Sequence, residues 1–120
     1  MSRILIVDDE PDLRFLLRRI FERAGHEVTE ASHGKAALES IDGSPPDLVV
    51  TDVMMPVMGG VELIERLRSD PATAHIPILA ATGDPDLARA ADATLRKPYQ
   101  RDVLITAANE LLAKEKDIRP

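Results

Sequence analysis

A chain of 120 residues, 44% hydrophobic, 30% charged and 2% aromatic, has room for one aliphatic core and none for a second. Its 15 Lys and Arg against 21 Asp and Glu leave a net charge of −6, and no basic run is present to track a phosphate backbone, so direct nucleic-acid binding is not expected. The lack of cysteine excludes disulfide frameworks, thiol nucleophiles and thiolate zinc sites, and the first apolar run stops at Asp8, before a signal-peptide core could form. No run reaches membrane-spanning length, and a cytoplasmic location is expected.

Arg3-Ile4-Leu5-Ile6-Val7 is a continuous branched apolar run cut off by acids, the pattern of a strand buried on both faces. From Asp9 to Ala24, Leu13, Leu16, Leu17, Ile20, Phe21 and Ala24 recur at helical spacing with arginines and glutamates between them, and Pro11 and Gly25 mark the ends. Glu27 to Ala31 reads as a second, weaker strand, and Gly34 to Ile41 as a short helix with Ala37 and Ile41 on its inner side. Pro45-Pro46 forces an extended entry into a third strand, Leu48 to Thr51, that ends at Asp52. A loop from Val53 to Gly60 leads into a helix over Val61 to Arg68, and Pro77 introduces a fourth strand, Ile78 to Ala81. After Thr82-Gly83-Asp84-Pro85 come a small helical stretch, a fifth strand at Ala93 to Arg96, and a last helix from about Arg101 to Lys116 on Leu104, Ala107, Ala108, Leu111 and Leu112. The polar tail, Glu115 to Pro120, is expected to fray. Strict alternation of apolar strands with helices predicts an α/β fold, a parallel sheet covered on both faces by right-handed crossovers.

In such sheets the ligand crevice lies beyond the carboxyl ends of the strands, where strand order reverses. Asp8 and Asp9 follow the first strand, Asp52 ends the third, Thr82 the fourth and Lys97 the fifth. Carboxylates gathered in one place repel one another unless a cation shares the site, and an all-oxygen set suits Mg²⁺. A hydroxyl and an ammonium from two further strands supply what a transferring phosphoryl group needs, and Asp52 at the centre can take that group as an aspartyl phosphate. Any one strand-end Asp is more simply a cap or a solvated loop residue; four strand ends with complementary chemistry favour a site. His26, His33 and His75 stand alone without ligand spacing and read as surface residues. Met54, Met55 and Met58 read as packing and loop residues rather than a soft-metal site, Tyr99 as core, and Glu110, Lys114, Glu115 and Lys116 as a solvated helix face.

Asp8-Asp9 after an apolar strand, Asp52-x-x-Met55-Pro56-x-Met58-x-Gly60 after the third, Thr82 after the fourth and Lys97-Pro98 after the fifth resemble the receiver domain of bacterial two-component response regulators, over essentially the whole chain, 1–120. The resemblance implies a flavodoxin-like doubly wound sheet of five parallel strands in the order 2-1-3-4-5. It implies Asp52 as phosphoacceptor, Asp8, Asp9, Asp52 and the Met54 main-chain carbonyl as Mg²⁺ ligands, and Thr82 and Lys97 as binders of the phosphoryl oxygens. A cis Lys97-Pro98 bond is also implied. The implied partners are a histidine kinase or histidine phosphotransfer protein and a downstream protein target, reached without nucleic acid or membrane.

The sequence departs from the family pattern in the second half. Thr94 stands where receivers carry an aromatic or His switch residue, and Ala90-Ala91 replaces a Gly-Ala turn. Only 15 positions separate Thr82 from Lys97, about two helical turns fewer than is common in the family, so the fourth helix is expected to be a stub or irregular. Ala81-Thr82-Gly83 resembles a receiver subgroup without the aromatic switch. Met54 and Asp84 occupy the two positions that flank the attacking water in the family, which predicts slow loss of the phosphoryl group. The main expectation is a stand-alone, monomeric phosphoacceptor rather than an enzyme, in which the 83–91 segment tightens on phosphorylation. The alternatives are a Mg²⁺-dependent aspartyl-phosphate phosphohydrolase, disfavoured by Met54 where such enzymes place an acid/base Asp, and a phosphorylation-independent docking module.

Overall fold

In a computed structural model, which describes residues 2–55 and 57–118, five strands alternate with helices in chain order. They are β1 (Arg3–Val7), α1 (Pro11–Arg23), β2 (Glu27–Ala31), α2 (Gly34–Gly43), β3 (Leu48–Asp52), α3 (Gly60–Ser69), β4 (Ile78–Thr82), β5 (Ala93–Arg96) and α4 (Arg101–Ile118). A single 3₁₀ turn, Pro85–Ala88, stands between β4 and β5 where the sequence left room only for a stub. The sheet is parallel throughout in the order β2-β1-β3-β4-β5. The order in which strands are added therefore reverses between β1 and β3, and the crevice at their carboxyl ends is the switch point.

Side chains alternate across this sheet as the pleat requires. Leu5, Val7, Val49, Ile78 and Ala80 pack with Leu63, Ile64 and Leu67 of α3 and Ala37 and Ile41 of α2. Ile4, Ile6, Leu48, Val50 and Leu79 face the other way, onto Leu17 and Phe21 of α1 and Leu104, Ala108, Leu111 and Leu112 of α4. Burial on both faces explains why β1, β3 and β4 read as unbroken apolar runs.

Several expectations need correction. Of the apolar stripe on α1, Leu16 stays 47% exposed and Ala24 is exposed, because α1 leans its Leu17 and Phe21 edge on the sheet and leaves a groove toward α4. His33 is not a bare surface residue: its Nδ1 accepts the Ala36 N–H at 3.1 Å and caps α2. His26 is half-buried with its ring edge-on to Phe21 at 6.3 Å, whereas His75 is exposed as expected. Tyr99 is half-buried against the α1/α4 core, and burial pushes its phenol pKa up. Helix α4 extends to Ile118; Arg119 and Pro120, like Pro56 of the motif, lie outside the described residues. Among the described residues no helix is long and apolar enough to cross a membrane.

Candidate functional site

The register that pairs Val7 with Thr51 sets Asp8 beside Asp52, and the register that pairs Asp52 with Ala81 sets Thr82 just beyond it. One carboxylate oxygen each from Asp8, Asp9 and Asp52 lie within 4.8 Å of one another. Asp8 is 3% exposed and its Oδ1 accepts the Glu10 N–H at 2.9 Å, while Asp9 is exposed at the rim. Burial raises the Asp8 carboxyl pKa above the ordinary carboxylate range, against the lowering by the Glu10 N–H, and the neighbouring charges of Asp52 and Asp9 add to the rise.

Asp52 closes β3 with its Oδ1 held twice, by the Val53 N–H at 2.8 Å and by Lys97 Nζ at 3.0 Å. Burial works against the Lys97 charge, but the bond to Asp52 and the charges of Asp52 and Asp8 outweigh it, so the ammonium pKa is raised. Lys97 is carried to the site by its own main chain: its N–H donates to the Thr82 carbonyl at 2.9 Å, and the bond to Pro98 is cis. Thr82 is buried, and its hydroxyl oxygen accepts the Asp84 N–H at 3.1 Å while donating to the Asp84 carbonyl at 3.3 Å. Asp84 turns its own Oδ1 to the Asp86 N–H at 3.2 Å and so heads the 3₁₀ turn.

The loop after Asp52 is held from two sides. Gly60 N–H donates to the Val53 carbonyl at 2.8 Å, and a Cβ on Gly60 would lie 2.3 Å from the Asp52 carbonyl oxygen, so no other residue lets α3 start this close to the site. Met58 lies over Gly34 at the start of α2, whose N–H donates to the Met58 carbonyl at 2.9 Å. Met55 packs on the core, whereas Met54, 73% exposed, is a loop residue, which fits the packing and loop roles expected of these methionines. Thr51, which the sequence reading passed over as one more strand residue, is buried and donates its hydroxyl to the Asp52 carbonyl at 2.8 Å. Thr94 is half-buried on β5 opposite Ala80, with no large ring at that place.

Chemically, a half-buried carboxylate tied to an ammonium and set close to two more carboxylates can coordinate a divalent cation and face a phosphorus atom. The family model for the response regulator receiver domain matches residues 4–109. The chain belongs to that family. Over 116 residues the receiver is 31% identical to the chemotaxis protein CheY of Halobacterium salinarum, covering 92% of this chain and 97% of that protein. It is 36% identical over 118 residues to the sensor histidine kinase TmoS of Ectopseudomonas mendocina, where it spans only 12% of the relative's length. It superposes with a TM-score of 0.84 and 31% identity on the response regulator TrrA of Thermotoga maritima in complex with Mg²⁺-BeF, covering 92% of this chain and 99% of that one. The chain is thus a phosphorylatable receiver of the two-component phosphorelay, and neither the phosphohydrolase nor the docking-module alternative is favoured.

Proposed function

We propose that Asp52 accepts a phosphoryl group from the phosphohistidine of a kinase or phosphotransfer protein and that the receiver then signals by protein contact. The observation that carries this reading is the Asp52 carboxylate itself, half-buried, 3.0 Å from Lys97 Nζ and within 4.8 Å of the Asp8 and Asp9 oxygens. The three carboxylates suit Mg²⁺: their oxygens lie within 4.8 Å of one another, a repulsion that a divalent cation relieves. Asp8, Asp9, Asp52 and the Met54 carbonyl would hold the ion, which when bound offsets the negative charge of the phosphoryl oxygens.

In the transfer, the Asp52 carboxylate oxygen forms a bond to phosphorus as the phosphorus–nitrogen bond to the donor imidazole breaks. The bonding pair stays on that nitrogen. Lys97, kept charged at neutral pH, and the Thr82 hydroxyl then bind two of the phosphoryl oxygens. A groove lined by Leu16, Ile20, Pro98 and Tyr99 opens beside Lys97, and it would offer the donor protein an apolar seat. The remaining parts of the reading are a single unit over residues 1–120, a cytoplasmic monomer, no nucleic-acid contact, and no catalysis beyond its own phosphorylation and dephosphorylation. The test is to incubate the protein with a radiolabelled phosphohistidine donor and Mg²⁺: label should move to the receiver, and Asp52→Asn or chelation should stop it. Transfer that survives both changes rejects the proposal.

A further inference from the structure

Arg14 closes the first turn of α1, among residues that read as a solvated face, yet its guanidinium is turned inward and its side chain is only 18% exposed. Its Nη1 donates to the Asp8 main-chain carbonyl at 2.6 Å, and its Nε donates to Glu30 Oε1 on β2 at 3.2 Å. Glu30 already has a second cation, since Arg18 Nη1 donates to Oε2 at 2.8 Å. An ion pair with Glu30 would therefore exist without Arg14. What Arg14 alone supplies is the bond to the Asp8 carbonyl.

That carbonyl belongs to the rigid peptide unit joining Asp8 to Asp9. Asp8 is fixed at its N–H by the Ala31 carbonyl at 3.1 Å and at its carboxylate by the Glu10 N–H. The peptide plane that carries Asp9 is held at its oxygen by Arg14. We infer that Arg14 is a positioning residue for the cation site, locking the Asp8–Asp9 peptide so that the exposed Asp9 carboxylate is aimed at the oxygens of Asp8 and Asp52. The fork geometry of a guanidinium is needed, because one group must reach a carbonyl on the β1–α1 loop and a carboxylate on β2 together; an ammonium would act as a point charge without that fixed direction. The inference rests on the proposed reading of the three acids as a Mg²⁺ site.

The experiment is a Mg²⁺ titration of the unphosphorylated protein, followed by the backbone amide signals of residues 8–10 and 52–54 in NMR spectra. Arg14→Met should weaken Mg²⁺ binding roughly 10-fold, the lower end of the loss seen when a group that orients a metal ligand is removed. Arg14→Lys, which keeps stem and charge and is the milder change for folding, should weaken it by about 3-fold on the same grounds. Arg18→Met, which strips the other arm from Glu30, should leave Mg²⁺ affinity within about 2-fold of the parent. With a small phosphodonor, Arg14→Met should need more Mg²⁺ for half-maximal phosphorylation yet reach the parent rate at saturation, which a general loss of structure would not allow. Parent-like Mg²⁺ affinity in both Arg14 variants, or an equal loss in Arg18→Met, overturns the inference alone. A parent protein that binds no Mg²⁺ overturns the site reading beneath it.

Discussion

Asp8 is an acid held in a place that resists its charge, and the cost can be measured. Because burial raises its folded pKa above the unfolded value, the folded chain binds this proton more tightly, so the stability it contributes is present at low pH and lost as pH rises through the raised value. At neutral pH without Mg²⁺, Asp8→Asn should therefore raise Tm. The gain should vanish below the ordinary carboxylate range. Circular-dichroism melts at both pH values check the sign, and a lowered Tm at neutral pH contradicts it. At Met54 the proposal is kinetic: its exposed thioether cannot orient water by a strong hydrogen bond, and Asp84, when ionised, repels phosphoryl oxygens. Met54→Asn should speed loss of the phosphoryl group several-fold, and an unchanged or slower decay would contradict this account. Asp8, Asp9, Asp52, Thr82 and Lys97 were legible because a parallel sheet brings strand ends together whatever else the chain does. Thr51 and His33 were not. The partners that make them matter are a main-chain carbonyl and a main-chain N–H, which leave no mark on a one-dimensional pattern.

Among the elements, the crossover from β4 to β5 departs furthest from a regular βαβ unit. Its 3₁₀ turn covers little of the sheet, with Ala88 buried and Ala91 packed against the core, and a side chain from a neighbouring helix completes the anchoring. Arg68 at the end of α3 donates to the Ala74 and Ile76 carbonyls at 2.8 Å each, to the Ala90 carbonyl at 3.2 Å and to Asp92 Oδ2 at 2.5 Å. Asp92 Oδ2 in turn accepts the Ile78 N–H at 2.7 Å, which ties the starts of β4 and β5 together. Arg68→Met should cost about 2–3 kcal/mol, because it leaves partly buried carbonyls without their donor and strips Asp92 of its ion pair. Chemical denaturation of the purified variant measures it, and a loss below ~0.5 kcal/mol would mean that solvent replaces the guanidinium. The shortness of this crossover was readable by counting residues, and the periodic helices α1, α3 and α4 by their apolar spacing. The Arg68 anchor was not readable, since its acceptors come from two separate segments, 74–76 and 90–92, and the arginine itself looks like one more charge on a helix.

Across the whole molecule, the site and the crossover meet in one hydroxyl. Thr82 has a single proton to donate and gives it to the Asp84 carbonyl; binding a phosphoryl oxygen requires that bond to be released. Phosphorylation at Asp52 should therefore rebuild the head of the 83–91 segment, while its far end stays fixed by Arg68, with no aromatic swing at Thr94. Amide exchange across residues 83–94 should slow with Mg²⁺ and a beryllofluoride phosphoryl mimic. Equal protection in the two states, or a dimer built on α4, would place the readout elsewhere. The central claim is simpler than its readout: one carboxylate, Asp52, takes one phosphoryl group. It is tested most directly by intact-mass measurement, with peptide mapping, after incubation with a small phosphodonor and Mg²⁺. The account predicts a single added phosphoryl group on the Asp52 peptide, lost on chelation and absent from Asp52→Asn; equal labelling of Asp52→Asn, or a label on another residue of the parent protein, would contradict it.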